Sequence, residues 1–74
     1  MVEVFKTNVQ HHELAEQLAS ILRGRFAFSK INFDLEDCDK ILRVEGKQIC
    51  VETVIEILST HGLNAKFLHS NWGS

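Results

Sequence analysis

The chain has 74 residues, 45% of them apolar, and carries eight Lys and Arg against ten Asp and Glu for a net charge of −2. That bounds it to one domain near the lower size limit for folding without disulfides or metals, and the apolar content argues against disorder. The cations are scattered and no apolar stretch reaches the ~20 residues of a membrane span, so neither nucleic acid nor membrane is an expected partner.

The start, Met1-Val2-Glu3-Val4-Phe5, already has strand character and does not resemble a signal peptide, so the expected location is cytoplasmic. Residues 2–8 are rich in strand formers and partly alternate, which predicts a first strand. Over 11–24 the period changes. Leu14, Leu18, Ile21 and Leu22, with Ala15 beside them, make one helical stripe, and Glu13, Glu16, Gln17 and Ser20 fall on the wet side. Arg23-Gly24-Arg25 should close this helix, with the glycine in a left-handed cap. Residues 26–33 return to strand character, with Ile31, Phe33 and Leu35 on one face and Lys30, Asn32 and Asp34 on the other. A polar turn over 35–40 leads into a short strand at Ile41–Val44 that can pair back as a hairpin. A second helix over about 51–61 should bury Val51, Val54, Ile55 and Leu58 and end at Gly62. Leu63 to Leu68 makes the last strand, so the domain is expected over 1–68, with a flexible tail at 69–74.

The order β-α-β-β-α-β has a compact solution in an α+β, ferredoxin-like sandwich: a four-stranded antiparallel sheet with two helices on one face. Right-handed crossovers place the third strand between the first and second, and the fourth outside the first. The first strand–helix loop, the hairpin turn and the loop after the second helix then share one end. His11, His12, Cys38 and His61 should be near neighbours there, and Cys50 should lie at the opposite end.

The element order, the helical pattern Leu14, Leu18, Leu22, and the stretch Val54-Ile-Glu-Ile-Leu58 followed by His61-Gly62-Leu63 resemble the heavy-metal-associated domain over about residues 2–68. The resemblance implies the same fold. That family binds soft metals through the two cysteines of a Met-x-Cys-x-x-Cys loop. Superposing the helices puts Val9 at the methionine, His11 at the first cysteine and Leu14 at the second. Leucine cannot ligate, and soft Cu(I) prefers thiolates. The family's usual aromatic after the helix-ending glycine is also replaced, by Leu63. The expectation is therefore a non-enzymatic binding or interaction domain that keeps the fold and has lost the thiolate site.

The rival reading is a carrier of a borderline transition metal (Zn, Ni or Cu) through His11, His12, Cys38 and His61, with Glu13, Glu36 or Asp37 completing a shell. Adjacent histidines on a helix point about 100° apart, so a solvated helix start is the expected reading and no metal or other cofactor is expected. His12-Glu13-Leu14-Ala15-Glu16 lacks the second histidine of a His-Glu-x-x-His motif. The acidic run Asp34, Glu36, Asp37, Asp39 lacks the ligand order and central glycine of a calcium loop. Cys50 occupies a helix-start position, where a thiol can be activated, but reads more simply as a small, partly buried residue. Two other families with this topology fit poorly: the arginine- and glycine-rich surroundings of RNA-stacking aromatics are missing, and residues 6–12 have no glycine-rich phosphate loop. The apolar segment 26–35 should form a sheet edge, which makes it the expected surface for a homodimer or a protein partner.

Overall fold

A computed structural model describes residues 1–71. The elements are β1 (Val2–Thr7), α1 (His12–Arg25), β2 (Lys30–Asp34), β3 (Ile41–Glu45), α2 (Val51–Thr60) and β4 (Ala65–Asn71). They form one antiparallel sheet in the order β2-β3-β1-β4, which is the ferredoxin-like βαββαβ arrangement expected from the sequence.

Alternation along β1 sends Glu3, Phe5 and Thr7 toward the helices and Val2, Val4 and Lys6 to the open face. Phe5 pairs in register with Leu42 of β3, and both are fully buried in a core shared with Val9, Leu18, Leu22, Val44, Val54 and Leu58. On the open face, Val4 and Ile41 are buried outside that core cluster. Val4 is flanked in register by Arg43 and His69, and Ile41 by Lys6 and Asp34, so long polar neighbours cover a pair of apolar side chains.

Helix α1 packs through Ala15, Leu18, Ala19 and Leu22, spaced i, i+3, i+4, i+7. Ile21, expected in that stripe, is 40% exposed, because this face turns the small Ala19 inward and leaves Ile21 on the flank. Gly24 is also not the left-handed cap expected of it. The helix continues through Arg25, and the Phe26 N–H donates to the Leu22 carbonyl at 2.8 Å from an extended cap residue. Gly62, at the end of α2, does adopt φ +75°. There the Leu63 N–H donates to the Leu58 carbonyl (2.9 Å) and the Gly62 N–H to the Ser59 carbonyl (3.0 Å), closing a Schellman motif.

Two boundaries differ from expectation. The edge strand β2 begins only at Lys30. Residues 26–29 form a turn in which the Ser29 N–H and hydroxyl both donate to the Phe26 carbonyl and Phe28 takes φ +62°. The expected edge surface over 26–35 therefore reduces to 30–34. At the other edge, β4 runs on to Asn71, so residues 69–71 of the expected tail are strand; 72–74 lie outside the described residues. The cause is pairing: β1 starts at Val2 and offers Val2, Glu3 and Val4 to Asn71, Ser70 and His69. A register shift between Val4 and Phe5 re-aims β4 at that point. The Ser70 hydroxyl lies 2.9 and 2.8 Å from the two carboxylate oxygens of Glu3, a buried acid on the helix side of the sheet.

Candidate functional site

Three loops meet at one end of the sheet, and Thr7 and Asn8 tie them together. The Thr7 N–H donates to the Asp39 carbonyl (3.1 Å), its hydroxyl donates to the Lys40 carbonyl, and the Val9 N–H donates to the same hydroxyl oxygen (3.3 Å). The Asn64 N–H donates to the Asn8 side-chain oxygen at 2.9 Å, which fastens the loop after α2. Val9 then turns fully into the core, and Leu14 packs half-buried against it. His11 is the N-cap residue of α1 but makes no capping side-chain hydrogen bond; His11, His12 and Glu13 are exposed.

The turn between β2 and β3 is built by its aspartates. The Asp39 N–H donates to Asp37 Oδ1 (2.8 Å), the Lys40 N–H donates to the Asp37 carbonyl (3.0 Å), and Lys40 takes φ +48° while its ammonium donates to the Leu35 carbonyl (2.8 Å). Asp39 Oδ1 also lies 3.4 Å from Lys6 Nζ; both side chains are about half exposed, a pair worth no more than about 1 kcal/mol. The donor atoms of Asp37, Cys38 and Asp39 fall within 4.8 Å of one another. Among the described residues this is the one group of three or more His, Cys, Asp or Glu donors that converges, and His11, His12 and His61 stand outside it. Asp37 was legible as an accessory ligand. Asp39 was legible only as a turn former, because the Asp-x-Asp spacing that signals the turn also brings the two carboxylates round Cys38.

His61 lies beyond the end of α2, with Nδ1 2.8 Å from the Ile57 carbonyl and 3.3 Å from the Thr60 hydroxyl. Assigning the proton to Nδ1, where it meets the carbonyl, leaves Nε2 as an acceptor.

Cys38 and Cys50 are both free and exposed, so the partly buried Cys50 expected from sequence is corrected. Cys50 is the N-cap residue of α2 and closes no capping side-chain hydrogen bond. The Thr53 hydroxyl, and next the Thr53 backbone N–H, nonetheless favour the thiolate and draw its pKa below the ordinary thiol value.

The opposite end holds an open groove of about 710 Å³ between the 26–29 turn and the segment joining β3 to α2. A second, shallower one of about 220 Å³ lies where the alanine face of α1 meets Ile31 and Phe33 of the β2 edge. The first was hidden in the sequence because 26–29 reads as strand. No helix among the described residues is long and apolar enough to cross a membrane. Set against known proteins, the chain matches no family model, no curated protein and no solved structure.

Proposed function

We propose that this protein is a non-enzymatic, cytoplasmic binding module, a divergent relative of the heavy-metal-associated domains that has lost thiolate metal binding. The observation that carries this reading is the placement of Val9 and Leu14. At the positions where a Met-x-Cys-x-x-Cys loop presents its sulfurs, Val9 is fully buried and Leu14 half-buried in the core. One thiol, Cys38, remains at the loop end, and one thiolate is a poor site for Cu(I). The open edge of β2, with the shallow hollow beside Ile31 and Phe33, supports association with a second copy or another protein by strand addition.

A second reading is favoured by the convergence of Asp37, Cys38 and Asp39: a borderline metal ion held by mixed oxygen and sulfur donors. Native mass spectrometry with Zn(II), Ni(II), Cu(II) and, under reducing conditions, Cu(I) separates the two. The binding-module reading expects no stoichiometric adduct. A tight one-to-one adduct that is lost in Cys38→Ser or His11→Ala refutes it and establishes the metal carrier. The same spectra report a dimer directly.

A further inference from the structure

The groove opposite the loop end combines cations, an exposed aromatic and apolar side chains. Arg25, Lys30 and Lys47 line it against one carboxylate, Glu45. Among the described residues the one ion pair is Lys6 with Asp39, at the other end, so none of these three cations has a carboxylate within ion-pair distance. They are three of only eight cations in a chain of net charge −2, whereas Asp34, Glu36, Asp37 and Asp39 gather round the opposite turn. The molecule is therefore electrically polar along its sheet, positive at the groove.

The groove also presents an exposed aromatic. Phe28 is 104% exposed and is held at φ +62°, a conformation unusual for a bulky residue. Met1, Phe26, Ala27 and Ile49 also line the groove. Ile49 packs partly against the core and lies so close over Gly46 that an added Cβ there would stand 2.8 Å from its Cδ1. Apolar lining side chains, an exposed aromatic and cations without an ion-pair partner among the described residues together match an anionic chain that carries an apolar side chain.

We propose that this groove docks an acidic segment of another protein, with its carboxylates against Arg25, Lys30 and Lys47 and an apolar side chain seated between Phe28 and Ile49. The proposal rests on the binding-module reading and names the chemistry of the partner. A volume of about 710 Å³ falls in the range of roughly 300–1,000 Å³ common for ligand pockets, enough for a few residues rather than a long strand. Single-stranded nucleic acid fits less well, since it needs a longer basic track and several stacking platforms, and the groove has a single exposed aromatic. An anionic membrane would attract this rim but repel the net negative chain.

The test is amide chemical-shift mapping of the full chain, titrated with a short peptide of glutamates and aspartates around a central leucine. Controls are a lysine-substituted peptide, an oligo-thymidine and phosphatidylserine vesicles. Expected are shifts confined to 25–30 and 45–49, weakening as salt rises toward the physiological range. Affinity should fall about tenfold in the double variant Arg25→Glu, Lys47→Glu, and about tenfold in Phe28→Asn, as for loss of an aromatic anchor. All three positions are exposed, and urea unfolding of each variant confirms that it is folded. No shift at millimolar acidic peptide overturns the proposal, as do shifts centred on the loop end or equal binding of the lysine peptide. Stronger binding of the oligonucleotide or the vesicles overturns it too. So does concentration-dependent self-association abolished by the charge reversal, which would make the acidic turn of a second copy the occupant. The metal titration, run on the same sample, keeps the two readings apart. An adduct refutes the binding-module reading, while no adduct with no peptide shift refutes the groove alone.

Discussion

Replacing Phe28 by asparagine should make this protein more stable. An L-residue in the left-handed region sits about 1–2 kcal/mol above its right-handed alternatives, and asparagine enters that region more readily because its side chain can hydrogen-bond locally. Phe28 holds φ +62°. Its ring is 104% exposed, so removing it uncovers no apolar surface and forfeits no burial energy. The expected gain is about 0.5–1 kcal/mol, with alanine as the control, because alanine keeps the backbone penalty and should be close to neutral. For a domain of this size, ~1 kcal/mol corresponds to roughly 4–8 °C in Tm. Urea unfolding should show a raised midpoint at unchanged slope for Asn and an unmoved midpoint for Ala. A loss of about 0.5 kcal/mol or more in both variants would refute the reasoning, since it would mean the ring packs against the protein in solution. A gain in Asn together with lost peptide affinity would identify Phe28 as a residue retained at the expense of stability.

The two glycines that close or interrupt helices should respond in opposite directions. Gly62→Ala, at φ +75° with open space around it, should lose about 1 kcal/mol, whereas Gly24→Ala, inside α1 with nothing nearby, should gain about 0.5–1 kcal/mol; urea midpoints read both. In the second helix, Leu58→Ala should cost about 2–5 kcal/mol and Ile55→Ala distinctly less, because Leu58 is fully buried and Ile55 only partly, while His11→Ala should leave the midpoint in place. Iodoacetamide should modify Cys50 below the pH at which a free thiol reacts at the same rate: with the folded pKa lowered, the thiolate is populated earlier as pH rises. Thr53→Ala should move the Cys50 profile back toward the free thiol, and mass-resolved alkylation against pH tests both statements.

Much of the architecture was legible because it rests on local periodicity. The four-residue spacing of Leu14, Leu18 and Leu22, the alternation of Ile31, Phe33 and Leu35, and Gly62 after an apolar helix each encode one element, and crossover handedness then leaves one compact order of strands. The convergence of the three loops followed from that order. Within the loop end, the sequence placed Cys38 with its acidic neighbours but not their approach to within 4.8 Å, which depends on how the Asp37 side chain folds back onto the Asp39 N–H.

What only the tertiary structure decided is where strands begin and end, and what stays uncovered. Phe26 to Ser29 has the composition of a strand, but a strand forms only where a partner offers matching hydrogen bonds, and the pairing of β2 with β3 stops at Lys30 opposite Glu45. His69 to Asn71 has no strand pattern of its own, yet it becomes strand because β1 starts early enough to receive it. Glu3 is buried because the long-range pair with Ser70 meets its carboxylate, a contact between residues 67 positions apart. The groove arises the same way, from an edge strand that starts late and so leaves Phe28 exposed beside cations drawn from separate elements. Local pattern specifies which residues can form an element; hydrogen-bonding partners distant in sequence determine which of them do.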